Sequence, residues 1–138
     1  MAEKVEFELV SPERLLISEP VEMVVVPGSE GDFGALPRHA PMITGVRPGV
    51  IDVYQDGKVS DRIFIAGGFA EVTETRVTVL AEEALRLADL TADTVAQRLR
   101  AAEEAVEEAD SESARNLAQR GLLVARAMKA ALEQRTVH

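Results

Sequence analysis

The chain has 138 residues, of which 46% are hydrophobic and 28% charged, and its formal net charge is −9. This length suits one ordinary domain with a small appendage, and the hydrophobic content is too high for a disordered protein. The acidic balance argues against nucleic acid as a partner and against docking on anionic lipid, because both need clustered Lys and Arg. The absence of cysteine excludes disulfides, thiolate nucleophiles and cysteine-ligated metals.

The sequence predicts neither a secretory signal nor insertion into a membrane. The first residues, MAEKVEFELVSPE, lack an apolar core and a small-residue cleavage site. No stretch approaches the roughly 18 uninterrupted apolar residues that a transmembrane helix needs. We therefore expect a cytosolic protein.

The composition changes near residue 85. All six prolines, eight of the nine glycines and every aromatic residue lie before residue 70, and alanine dominates after Leu80. Frequent Gly and Pro are typical of strands joined by tight turns, whereas a run rich in Ala, Glu and Arg is typical of helix. We predict a β domain over residues 1–86 and an α-helical domain over residues 87–138.

Short alternating runs in the first segment predict strands. In VEFELV (Val5–Val10) every second residue is apolar, which is the period of a half-buried strand. The pair Asp56-Gly57 predicts a two-residue hairpin turn, and Gly67-Gly68 a second sharp corner. Eight to ten such strands in about 85 residues indicate a small sandwich or flattened barrel.

The second segment predicts two helices of about 18 and 22 residues in an antiparallel hairpin. Thr91 is expected to cap the first helix, and Asp110 or Ser111 the second. Each helix has an apolar seam of mostly small residues, which we expect to permit close approach of the backbones. The predicted seams are Ala92, Val95, Leu99, Ala102, Val106 and Ala109 in the first helix, and Ala114, Leu117, Gly121, Val124, Met128 and Ala131 in the second.

Acidic residues crowd the end of the first predicted helix: Glu103, Glu104, Glu107, Glu108 and Asp110. The helix macrodipole favours cations there, and like charges four residues apart repel. These residues therefore predict a solvated helix face with no metal site, and a hairpin weakly enough held to detach from its domain.

The stretch VPGSEGDFGALPRHAPMITGVRPG, Val26 to Gly49, contains the best candidate for chemistry, His39, with Glu30 and Asp32 close in sequence. It has no phosphate-loop motif, and the chain offers neither a cysteine nor a Gly-x-Ser-x-Gly elbow as a nucleophile. We expect a turn or interface role for His39 and no catalytic residue. A Gly- and Pro-rich loop with an acidic tip on a β scaffold instead predicts a binding surface.

The chain closely resembles the epsilon subunit of bacterial F-type ATP synthases in three stretches. They are this loop together with Val50 and Ile51, then IFIAGGFAEV, and then VTVLAEEA. The resemblance covers nearly the whole chain in the same order. It implies a ten-stranded β-sandwich followed by a two-helix hairpin. It also implies a non-catalytic subunit of the central stalk, which couples c-ring rotation to ATP synthesis at the cytoplasmic face of the inner membrane, peripheral to it and without a cofactor.

The resemblance also assigns partners to residues. The sandwich would bind the gamma subunit, with His39 at the rotor interface, and the tip formed by Ser29, Glu30, Gly31 and Asp32 would touch the polar loops of the c-ring. In several family members the hairpin extends and blocks ATP hydrolysis at the catalytic alpha and beta subunits. The extended hairpin would place a basic face of its last helix against an acidic surface of those subunits. The residues of this face would be Arg115, Arg120, Arg126, Lys129 and Arg135.

One motif of the family is missing. Members that sense ATP carry (Ile/Leu)-Asp-x-x-Arg-Ala at the start of the first helix, where this chain has Thr91, Thr94 and Val95 at the Asp, Arg and Ala positions. We therefore expect weak ATP binding or none. Two alternatives stay open from the residues: a free-standing adaptor with a helical clasp, and an enzyme that uses His39 with Asp32.

Overall fold

The computed structural model describes residues 3–137, with the side chains of residues 135–137 outside the described part. The chain divides into two compact units, Met1–Arg86 and Leu87–His138. The first unit contains ten β-strands, and the second contains a short 3-10 turn and two α-helices.

The strands of the first unit follow one another through short connections. Their bounds are β1 Val5–Val10, β2 Leu15–Val21, β3 Met23–Gly28, β4 Gly31–Ala35, β5 Met42–Val46, β6 Gly49–Gln55, β7 Lys58–Ile65, β8 Gly68–Val72, β9 Arg76–Ala81 and β10 Ala84–Arg86. They form one sheet in the order β10-β7-β6-β3-β5-β8-β9-β1-β2, with β4 paired to β3. β1 and β9 run parallel, and the other paired strands run antiparallel.

The predicted alternation along Val5–Val10 builds the core. Val5, Phe7 and Leu9 are fully buried, while Glu6 is exposed. The other strands contribute side chains to the same apolar cluster, among them Val24, Val26, Ile51, Val53, Ile63, Ile65, Val72, Val77 and Val79. Burial of each large side chain stabilises the fold by about 1.5–3 kcal/mol. One shared core lined by ten strands confirms the predicted sandwich.

Both predicted glycine turns are present. Asp56 and Gly57 have φ values of 55° and 77°, so the β6–β7 hairpin has positive φ at both central residues, as a type I′ turn requires. At Gly68, with φ of 145°, a Cβ atom would lie 2.0 Å from the carbonyl oxygen of Leu80. Only glycine therefore lets β8 approach β9 at that corner.

The second unit begins with the 3-10 turn Leu87–Asp89 and continues with α1, Ala92–Glu108, and α2, Glu112–Val137. The predicted caps are confirmed. The backbone N–H of Thr94 donates to Thr91 Oγ1 at 3.1 Å, and that of Ala114 donates to Ser111 Oγ at 3.1 Å. Of the two candidates for the second cap, the structure therefore selects Ser111. α1 and α2 contact each other.

The predicted seam of α2 is partly wrong. Leu117 is 64% exposed and Gly121 is exposed as well, whereas Ala125, Met128 and Ala131 are buried. Half-buried Ala118 and Leu122 continue this side of the helix. A straight helix turns by about 100° per residue, so apolar residues spaced three or four apart can be assigned to more than one side of the helix. The prediction chose the side that contains the large residue Leu117, and this choice was wrong. In α1 the predicted Ala92 is exposed, and Val95 is the buried seam residue.

Gly121 consequently has no packing role. A Cβ atom built there would meet nothing within 4 Å, so the predicted close approach of the backbones at this residue is also wrong.

We predict that Gly121→Ala stabilises the helical unit by about 0.5–1 kcal/mol, because alanine has the higher helix propensity and no neighbour opposes its methyl group. Helical circular dichroism followed through thermal unfolding measures the change. Ala125→Gly is the matched control, since the same exchange in reverse at a buried seam position lowers stability by at least as much. A loss of helical stability in Gly121→Ala contradicts the prediction.

Candidate functional site

The four predicted tip residues lie together at the end of the β3–β4 hairpin. Gly28 pairs with Gly31, which leaves Ser29 and Glu30 as the two turn residues. Ser29, Glu30, Gly31 and Asp32 are all exposed. We call these four residues the acidic tip; it presents two carboxylates and little else that could bind a partner.

The tip and the adjoining end of β3 are fastened to β5 and to Arg47, which follows that strand. The N–H of Ser29 donates to the carbonyl of Gly45 at 2.9 Å, and the N–H of Arg47 donates to the carbonyl of Pro27 at 2.9 Å. The Arg47 side chain donates from Nη1 to the carbonyl oxygen of Gly28 at 2.5 Å and forms an ion pair through Nη2 with Asp32. Arg47 is not among the predicted site residues, because a lone Arg between Val46 and Pro48 forms no motif.

His39 has a structural environment. Its Nδ1 lies 2.7 Å from the carbonyl oxygen of Ala40, and its ring centroid lies 6.2 Å from that of Phe33. The side chain of His39 is half-buried. Among the hydrogen bonds of residues 3–137, Asp32 is paired with Arg47 and not with His39. The structure therefore does not assemble the acid–base pair that the enzyme alternative required.

An apolar row crosses the outer face of four adjacent strands. Phe69 on β8 stands opposite Leu80 on β9, Leu80 opposite Val10 on β1, and Val10 opposite Leu15 on β2. Phe69 is 62% exposed, and Leu80 and Leu15 are each 54% exposed. Val10, Phe69 and Leu80 also line an open groove with Ser11, Pro12 and Glu82. Exposed apolar side chains opposite one another on adjacent strands mark a candidate protein-binding surface.

The predicted basic residues of α2 do not form a single face. Arg115, Arg126 and Lys129 fall within an arc of about 60° around the helix, but Arg120 lies about 140° from Arg115. Arg115, Arg120, Arg126 and Lys129 are exposed, and the side chain of Arg135 lies outside the described part. Arg120 instead shares a shallow surface groove with Asn116 and Leu123.

The three residues at the nucleotide-motif positions serve the start of α1. Thr91 is its N-cap, Thr94 donates its N–H to that cap, and Val95 is buried. The acidic residues at the other end of α1 are exposed, as predicted for a solvated face.

Within residues 3–137, no group of three or more His, Cys, Asp or Glu side chains is arranged to hold a metal ion. Over the same range, neither helix combines the length and the hydropathy needed to cross a membrane.

Asp52 on β6 is a partly buried carboxylate whose pKa differs from its usual value. Burial raises the pKa of Asp52 above its usual value; Arg62, whose Nε lies 3.4 Å from the carboxylate, opposes the rise, and the charge of Asp32 adds to it. The acidic tip therefore influences a residue on β6 electrostatically.

A β-sandwich with an exposed tip and an apolar row, followed by a helix pair, defines a binding protein of two structural units. Comparisons with known proteins give its family. Residues 4–87 match the family model of the β-sandwich domain of the ATP synthase delta/epsilon chain. The chain is 62% identical over 131 residues to the ATP synthase epsilon chain of Rhodospirillum rubrum, covering 95% of this chain and 98% of the relative. It is 61% identical over 132 residues to that of Paramagnetospirillum magneticum, covering 96% and 99%.

Solved structures agree. A chain of the Euglena gracilis mitochondrial ATP synthase, solved by cryo-EM with OSCP, F1 and c-ring, superposes with a TM-score of 0.78 at 27% identity, covering 94% of this chain and 81% of that one. A chain of the central stalk and c-ring of the Tetrahymena thermophila mitochondrial ATP synthase gives 0.70 at 13% identity, covering 94% and 97%, which shows the shared fold. The chain belongs to the family of ATP synthase epsilon chains, and this favours a synthase subunit over a free-standing adaptor.

We predict that Asp52→Asn stabilises the β unit by a few tenths of a kcal/mol at pH 7. Because the pKa of Asp52 is raised in the folded state, the stability linked to its protonated form is present in acid and is lost as the pH rises through the folded pKa. Asparagine stays neutral, so the gain should vanish below about pH 4. Urea denaturation at both pH values measures it.

The control for this experiment is Asp61→Asn. Asp61 forms an ion pair with Arg86, so its replacement is expected to give no gain at pH 7. A stabilisation by Asp52→Asn that grows towards acid pH contradicts the prediction.

Proposed function

We propose that the chain is a non-catalytic subunit of the central stalk of ATP synthase, which couples rotation of the proton-driven c-ring to ATP synthesis. It would act at the cytoplasmic face of the inner membrane, peripheral to it. The observation that carries this proposal is the match to epsilon chains across 95% of the chain. The geometry supports the proposal, since the acidic tip and the apolar row suit binding. Among the described residues, Asp32 pairs with Arg47 and not with His39.

The acidic tip is proposed as the c-ring contact. Its four residues are exposed at the end of a hairpin whose base is bonded to the rest of the sandwich. An exposed carboxylate suits basic or polar loops of a partner, and contacts of this kind determine orientation more than affinity.

The apolar row is proposed as the part of the sandwich that binds the gamma subunit. Four side chains from four adjacent strands bury more area together than scattered ones, and aromatic anchors such as Phe69 contribute disproportionately to binding. We place His39 at the rotor interface too, as a half-buried side chain in the loop that follows β4.

The helix pair is proposed as a regulatory unit that inhibits ATP hydrolysis when it extends to the alpha and beta subunits. Its support is the exposed positive charge of Arg115, Arg126 and Lys129, with Arg120 on another side. The Ala-rich seam also buries less area than Leu or Ile would, at about 25 cal/mol per Å². Because Thr91 and Thr94 are engaged in the N-cap of α1, we propose no nucleotide site there.

Reconstitution tests the proposal. The full chain and a truncation that ends at Arg86 are added to cognate catalytic heads that contain the gamma subunit and lack this chain, and incorporation and ATP hydrolysis are measured. We expect both forms to be incorporated, because the sandwich has its own core, and only the full chain to slow hydrolysis.

The outcomes separate the two units. If both forms bind and neither slows hydrolysis, the helix pair is not an inhibitor, although the stalk assignment stands. If the full chain is not incorporated at all, the proposed function itself is wrong.

A second experiment tests the apolar row. Phe69→Ser is expected to weaken binding to gamma-containing heads by at least about tenfold, since it removes the aromatic anchor of the row. Ile43→Ser is the control, because Ile43 is 74% exposed but stands opposite Glu71 and outside the row. Titration with a fluorescently labelled chain measures both dissociation constants. Equal effects of the two substitutions would exclude the row as the binding surface.

A further inference from the structure

We infer that Arg47 is a positioning residue that clamps the acidic tip, and that the two carboxylates of the tip have different roles. Asp32 is held within the clamp, and Glu30 is the charge offered to the partner. The division of roles rests on the proposed contact between the tip and the c-ring, whereas the clamp is a property of the free chain.

The clamp spans both strands of the hairpin. One guanidinium nitrogen of Arg47 donates to the carbonyl of Gly28 at the end of β3, and another pairs with the carboxylate of Asp32 on β4. The backbone of Arg47 is held as well, because its N–H donates to the carbonyl of Pro27 at 2.9 Å. A single side chain therefore ties β3, β4 and the chain after β5 together.

The turn at the tip is not one of the two-residue types that are commonest in β-hairpins. Two-residue hairpin turns that match the twist of the flanking strands have a positive φ at the first central residue, and often at both. Among the described residues that are not glycine, only Arg38 and Asp56 have positive φ, so Ser29 and Glu30 do not form such a turn. The positive φ of this turn falls instead on Gly31, at 137°, and Arg47 bridges the two strands where the turn begins.

Only arginine suits this position. Its planar fork carries several N–H donors in fixed directions and can meet two acceptors at once, whereas lysine presents one compact charge on a flexible stem. Replacement by lysine should therefore retain the charge and lose part of the clamp.

The remaining charge of the tip belongs to Glu30. Asp32 is paired with Arg47, while Glu30 forms no ion pair among the described residues and is exposed. The opposite charges of Arg47 and Asp32 largely cancel, so a positive group that approaches the tip is attracted mainly by the carboxylate of Glu30.

Amide hydrogen exchange on the free chain tests the clamp. The Ser29 amide, which donates to Gly45, reports on the tip, and the Ala66 amide, which donates to Glu83, is the internal reference. We expect Arg47→Met to speed exchange at Ser29 by roughly three- to tenfold, with a smaller change in Arg47→Lys. Arg76→Met is the matched control, because it breaks an exposed pair with Glu8 away from the tip. Unchanged exchange at Ser29 in Arg47→Met overturns the clamp, whatever the function of the chain.

Binding to complete synthase complexes stripped of this chain tests the division of roles. Glu30→Gln is expected to lower affinity about two- to fivefold at low salt, with the effect lost at high salt and exchange at Ser29 unaltered. Asp32→Asn is expected to speed exchange at Ser29, and any effect on affinity should follow that loosening. An affinity loss in Asp32→Asn without faster exchange overturns the assignment of Glu30. If exchange changes as expected and no tip variant affects affinity, the clamp holds and the c-ring contact is wrong.

Discussion

The alternation of buried and exposed side chains along ten short strands is the constraint on which the rest of the molecule depends. Each strand has one face committed to the common core, as Val5, Phe7 and Leu9 show on β1. Only the outer face and the turns are left to interact with anything else. The apolar row and the acidic tip occur at these two kinds of place, on a support whose own geometry is fixed by close packing.

The two surface features differ in physical character, and this suits different tasks. The apolar row offers area without charge, which favours a lasting contact. The tip offers little area and two exposed carboxylates, of which Asp32 is paired with Arg47. This division suits the proposed function, in which the chain stays attached to one part of a rotor and orients against another, because affinity and orientation then come from separate residues.

The helical unit is stabilised differently from the sandwich. Its apolar seam includes the small residues Ala125 and Ala131, its first helix ends in a cluster of exposed carboxylates, and Gly121 lies within its second helix without any packing benefit. Each of these features lowers the stability of a helix pair by tenths of a kcal/mol to about 1 kcal/mol. Units of low local stability are the ones that proteins use for conformational change, and this supports a regulatory part for the helices.

Local chemistry in the sequence was sufficient for much of the fold, because strand period, turn and cap each depend on a few adjacent residues. The run Val5–Val10, the turn at Asp56-Gly57 and the Thr91 cap are of this kind. The four residues of the acidic tip were identified from the resemblance to a known family instead. The α2 seam was decided by packing, since Leu117 and Ala118 are one step apart and only the contact with α1 selects between them. The apolar row and the Arg47 clamp were likewise decided by the tertiary structure: Val10 and Leu80, or Arg47 and Gly28, become neighbours only when the sheet registers bring distant segments of the chain together.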